Sequence, residues 1–62
     1  MKQYQLTVPP TMEMGSYSTI MTEGPEETKA KTALWIYNNA RAHDGLSPLS
    51  RMPNGTKYTL IK

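Results

Sequence analysis

The chain holds no cysteine, a single histidine and a single tryptophan among 62 residues. Each scarcity closes a class. Without thiols there is no disulfide framework. A structural zinc site is all but excluded, because His43 is the only imidazole and no thiolate can join it. The N-terminus lacks the apolar run of a signal peptide: Met1-Lys2-Gln3-Tyr4-Gln5 is polar at once. No stretch approaches the roughly 20 apolar residues of a membrane-spanning helix. The expectation is therefore a cytoplasmic protein. Met1-Lys2 reads as the start of an intact short frame, of the kind that phages and mobile elements carry. Charge of one sign is scarce too. Seven Lys and Arg stand against five Asp and Glu, a net +2 with no like-charged run, which is mild for a dedicated nucleic-acid binder.

Such a length suits one small domain, residues 1–62. A chain this short buries only about 60% of its unfolded surface, so it is marginal alone. With disulfides and metal removed, tight packing or self-association is left to stabilise it. A hydrophobic content of 37% is lean for a self-sufficient core, which keeps a homo-oligomer in view.

What is present has clear periodicity. Residues 2–8, KQYQLTV, alternate, with Tyr4, Leu6 and Val8 on one side and Gln3, Gln5 and Thr7 on the other. Pro9-Pro10 ends this strand, since neither residue donates to a ladder. PPTMEM is a loop. Residues 15–22, GSYSTIMT, read as a second strand. Its alternation is less clean, because Tyr17 and Met21 oppose Ile20, which implies two partly covered faces or a bulge.

Residues 25–43 predict a helix. Pro25 suits the first helical position, with Gly24 as N-cap. Glu26 and Glu27 suit the positive N-terminal end of the macrodipole, Arg41 and His43 the negative C-terminal end. Gly45 fits the left-handed position that stops a helix. Beyond it LSPLS is a loop or short irregular strand. Pro53-Asn54-Gly55 carries turn chemistry, and Tyr58 and Leu60 alternate with Thr59 and Ile61 in a strand over 56–61. Leu49–Met52 is a candidate edge strand hairpinned to it. The fold class expected is α+β: a small β-β-α-β(-β) domain, its three- to four-stranded, mostly antiparallel sheet carrying one helix on one face. The strand order is open, and a parallel pairing through a right-handed crossover is one option.

At 100° per residue, Ala30, Ala33, Leu34, Tyr37 and Ala40 fall within about 120° of one another, and Ile36 extends the arc. This is the expected core stripe. Trp35 falls on the opposite side, beside Lys31, Asn38, Asn39 and Ala42. An indole left in water forgoes roughly 1.5–3 kcal/mol of burial, judged from other large apolar side chains. Three readings follow: the chain covers it, through Leu46 and Leu49 or through Met12 and Met14; a partner covers it; or it stands exposed and idle. Trp is enriched at interface hot spots. Met12 and Met14 either fill gaps under a loop or join a contact surface.

Catalytic machinery is not legible. Nucleophilic catalysis needs a Ser, Thr or Cys with a base and an orienter, and His43 at a helix end is better explained as a C-terminal cation. Glu26 and Glu27 diverge on a helix and do not form an acid–base pair. The four scattered glycines make no phosphate cradle. We expect no catalytic residue, no metal, no cofactor and no small-molecule substrate. The function expected is that of a non-enzymatic interaction or accessory protein. It would dock on a protein partner or on its own copy through Trp35, Lys31, Asn38 and Ala42. The alternative is a DNA- or RNA-binding factor using Arg51, Lys57 and Lys62 on a basic C-terminal β-ribbon, with Lys2 nearby and Tyr4 or Tyr58 as a stacking face. Against it, exposed Lys on a terminal edge strand is a common guard against aggregation.

Overall fold

In a computed structural model the chain forms three strands and one helix, in the order β1 (Gln3–Val8), β2 (Tyr17–Thr22), α1 (Lys29–His43) and β3 (Lys57–Leu60). The structure describes residues 2–24, 26 and 28–61. The sheet order is β2-β1-β3, and both pairings are antiparallel. The domain is thus α+β, with a three-stranded antiparallel sheet. The two edge strands run parallel to each other, but β1 lies between them, so no parallel ladder forms.

β1 holds the centre because its alternation is the cleanest. Tyr4, Leu6 and Val8 are buried against the helix, and they are joined by Met21, Ala33 and Tyr37 in the core. Full burial of a side chain such as Leu6 or Val8 contributes about 1.5–3 kcal/mol. The other face of β1 carries Gln3, Gln5 and Thr7. There the Gln5 amide donates to the Ser18 hydroxyl at 2.5 Å and the Gln3 amide to the Thr22 hydroxyl at 3.5 Å. That face stays polar and uncovered. β2 needs no bulge: Val8 opposite Tyr17 through Gln3 opposite Thr22 is one unbroken register. Tyr17, Thr19 and Met21 look toward the helix, which leaves Ile20 on the bare face, 53% exposed.

Backbone polarity follows from two bonds at the sheet's end. Glu23 N–H donates to the Lys2 carbonyl, and Ile61 N–H donates to the Gln3 carbonyl, each at 2.8 Å. In an antiparallel ladder both main-chain groups of a residue point to the same neighbour. Even-numbered residues of β1 therefore bond to β2 and odd-numbered ones to β3. The N–H and C=O groups of Ser18, Ile20 and Thr22 consequently point away from the sheet along the β2 edge.

The helix begins four residues later than Pro25. Thr28 is its N-cap, its hydroxyl accepting from the Lys31 N–H at 3.2 Å. A hydroxyl satisfies an orphan N–H directly, which Gly24 has no side chain to do. Glu26 lies in the turn before the helix, so it does not occupy the first turn; Pro25 and Glu27 lie outside the described residues. The C-terminal end forms as its sequence signals. Gly45 sits at φ +74, and the Gly45 and Leu46 amides donate to the carbonyls of Ala42 and Arg41 at 3.0 and 2.9 Å, a Schellman closure.

Two further expectations change. Leu49–Met52 is not a strand, so the optional fourth strand is absent among the described residues. Leu49 bonds both its backbone groups to the Asn38 side chain, and the flanking Pro48 and Pro53 carry no N–H to extend a ladder. Ala30 belongs to the stripe by angle but is exposed, because it lies in the first turn, where the helix overhangs an open hollow rather than the core.

Candidate functional site

The helix divides its polar and apolar residues in an unexpected way. Arg41 falls one helical repeat beyond Tyr37, on the same stripe, and is only 2% exposed. Its guanidinium pairs with the Glu13 carboxylate at 3.0 Å, and its Nε donates to the Ser47 carbonyl at 2.7 Å. The Glu13 carboxylate is presented by a tight loop. The Thr11 hydroxyl accepts from the Glu13 and Met14 amides at 3.3 and 3.1 Å, and the Thr11 amide donates to the Met14 carbonyl at 2.7 Å. Arg41 lies in the last turn, as the macrodipole favours, and it also ties the helix to the PPTMEM loop and to the segment after Gly45. The charge is tolerated inside because its donors have acceptors.

Asn38 makes the second tie. Its amide nitrogen donates to the Leu49 carbonyl at 3.0 Å, and its amide oxygen accepts from the Leu49 N–H at 2.9 Å. The side chain thus pairs with an extended backbone as a neighbouring strand would. Leu49 is held against the core by this clamp, together with Met52. Asn38 therefore does not join a free contact surface; it is committed within the chain.

Trp35 is 68% exposed. Neither covering segment reaches it. Leu49 is drawn to the core by Asn38, and Leu46 follows the helix stop. Met14 packs on the core cluster, filling space under its loop, while Met12 stands fully in solvent. The indole lies between two open hollows on the β2 side of the helix. One, of about 530 Å³, is lined by Met14, Tyr17, Ile36, Ala40 and His43 with Asp44 at its end. The other, of about 480 Å³, is lined by Thr22, Gly24, Lys31 and Thr32. Lys31 and Ala42 are exposed as expected. Of the four residues assigned to a contact face, three are available and Asn38 is not.

On the opposite flank a smaller hollow of about 280 Å³ lies between Ala30, Leu34, Met52 and Tyr58. The Lys29 ammonium lies 5.3 Å from the Tyr4 ring centroid and 5.6 Å from that of Tyr58. Burial pushes the Tyr58 phenol above its usual range. Both rings expected to stack on bases are used here: Tyr4 is buried and Tyr58 half-buried.

The basic residues do not converge. Lys57 is exposed on β3 opposite Thr7, whereas Lys2 precedes the other end of the same pairing, about five strand residues or roughly 16 Å away. Arg51 is exposed on the irregular segment, and Lys62 lies outside the described residues. With no strand at 49–52, β3 has no hairpin partner and forms no two-stranded C-terminal ribbon among the described residues. Among the described residues no group of three or more His, Asp or Glu is placed to hold a metal, and no helix is long and apolar enough to cross a membrane.

Arg41 and Asn38 are the residues the sequence did not disclose. The only signal for Arg41 was its angle, within the arc of Tyr37. No family model, curated protein or solved structure matches the chain.

Proposed function

We propose that the protein is a non-enzymatic interaction module that docks on protein through the surface around Trp35. One observation carries this reading: the chain leaves its only indole 68% exposed between two hollows, while burying a guanidinium and half-burying a carboxamide. An exposed aromatic beside concave, partly apolar surface has the character of an interface anchor awaiting its cover. Ile36, Ala40 and Met14 supply the apolar floor. Lys31, Asn39, His43 and Asp44 supply a polar rim.

Tryptophan fluorescence tests it. In dilute monomer the indole emits as a hydrated group and is fully open to a neutral quencher. A quencher-protected indole in a proven monomer would mean that the chain covers its own Trp35, and the reading would fail. Cross-linked partner capture by wild type that persists unchanged in a folded Trp35→Ala variant would overturn it as well.

A further inference from the structure

The two edges of the sheet are defended unequally. β3 begins at Lys57, and Lys29 lies across its inner face. β2, YSTIMT, carries no charge and no proline. Its outward N–H and C=O groups at Ser18, Ile20 and Thr22 have no backbone partner among the described residues. An uncharged, regular, unpaired edge is a template for another strand.

We infer that this edge is where a second copy of the chain docks, with β2 pairing antiparallel to the partner's β2 to make a continuous six-stranded sheet. The inference rests on the docking role of Trp35 and names its occupant. Three features make the edge self-complementary. First, the outward groups are centred on Ile20. In the register that pairs all three, Ile20 meets the partner's Ile20 on a two-fold axis, and Ser18 meets the partner's Thr22. Two half-exposed isoleucines then cover each other on the bare face of the sheet.

Second, α1 runs antiparallel to β2. Lys31 and Thr32 share a hollow with Thr22, while His43 and Asp44 share one with Tyr17. Trp35 borders both, near the middle of the edge. The same two-fold axis lays the helices side by side and antiparallel, and brings each indole toward the other copy's helix flank. Third, charge favours this direction. Antiparallel pairing sets Lys31 near the partner's Asp44, twice. Parallel pairing sets Lys31 beside the partner's Lys31. No charge on the strand itself opposes the approach.

A six-residue edge is about 20 Å long. With the helix flank above it, the surface buried is on the order of 1,000 Å², the low end for specific interfaces. The dimer is therefore expected to dissociate in the micromolar range.

Sedimentation equilibrium of the full chain over a concentration series tests this, with indole emission read on the same samples. The expected result is a monomer–dimer equilibrium, with emission shifting to the blue as dimer forms. Ile20→Lys places like charges on the axis without touching the core and weakens the dimer by about tenfold or more. Ile20→Pro removes an outward N–H that β1 does not use and acts likewise; circular dichroism confirms folding of both. Lys31→Asp and Asp44→Lys each weaken the dimer, and the double variant restores it, a rescue that reports antiparallel direction.

A chain that stays monomeric to millimolar concentration overturns the inference while leaving docking on a foreign protein intact. So does a dimer unaffected by either Ile20 variant. A dimer in which Trp35 remains fully open to quencher counts against both this inference and the proposed function. An added extended peptide that binds the edge while the chain remains monomeric overturns the second copy as its occupant.

Discussion

The inward and outward faces of α1 do not sort by hydrophobicity. Inward lies Arg41, with a half-exposed carboxylate as its ion partner; Asn38 is half-buried on the helix flank, bonded to a loop backbone. Outward lies Trp35. Burial by hydrophobicity would reverse the three. The contrast shows that a small core can be completed by polar ties where apolar side chains are few. Arg41 and Asn38 fix two irregular segments, whose Met14, Leu49 and Met52 then pack on the core. The indole, released from core duty, faces solvent beside the one uncharged edge of the sheet.

The sharpest way to break this contrast is to remove the inward guanidinium. Arg41→Ala deletes the stem that fills the stripe beyond Tyr37, abolishes the Glu13 pair and leaves the Ser47 carbonyl without its donor. We expect a loss of about 3 kcal/mol in chemical denaturation, enough to unfold much of a chain this small. Arg41→Met keeps the apolar stem and should lose only about half as much, because the half-exposed Glu13 carboxylate simply rehydrates. If the two variants were equally destabilised, the charge-assisted bonds rather than the packing would be the source. Asn38→Ala comes next, at about 2 kcal/mol, since both Leu49 backbone groups lose their partner. Hydrogen exchange should show the loss at the Leu49 amide while β1 amides stay protected.

These magnitudes also explain what could be read in advance. β1 was legible because Tyr4, Leu6 and Val8 alternate without interruption and every one is buried. The stop at Gly45 was legible because a left-handed backbone there demands glycine. The start differs from the one Gly24-Pro25 predicts, because the Thr28 hydroxyl caps the helix and glycine has none. Trp35 was legible from angle alone. Arg41 shared that angular evidence with Tyr37, but a charged residue is set aside when a stripe is drawn from hydrophobicity. Asn38 left no trace, because its partner is a main chain eleven residues on, and any residue at Leu49 has the same main chain. The weak alternation of β2 had a simple cause in Ile20, which faces out from an otherwise regular strand.

A smaller effect sharpens the inward side. The Tyr37 hydroxyl is buried with no hydrogen-bond partner among the described residues, although its ring is packed edge-on against Tyr17 at 5.7 Å between centroids. A buried donor without an acceptor costs more than it returns. Tyr37→Phe retains the ring contact and is expected to stabilise the fold by about 1 kcal/mol. A loss of similar size would reveal an acceptor for that hydroxyl and would make Tyr37 a third polar tie beside Arg41 and Asn38.

The smallest expected effect tests the outward side. In dilute monomer, Trp35→Ala removes a side chain that covers nothing and replaces it with a better helix former, so stability should change by no more than about 0.5 kcal/mol. The comparison gains force when it is repeated at high concentration. Association of folded chains stabilises them by mass action, so the wild type should melt later as concentration rises. The variant, having lost its anchor, should show a flatter dependence. Far-ultraviolet circular dichroism reads both chains equally, since it does not depend on the indole being present. A Trp35→Ala penalty of several kcal/mol already in the dilute monomer would place the indole within the fold's own core. The contrast between the two faces of the helix would then disappear.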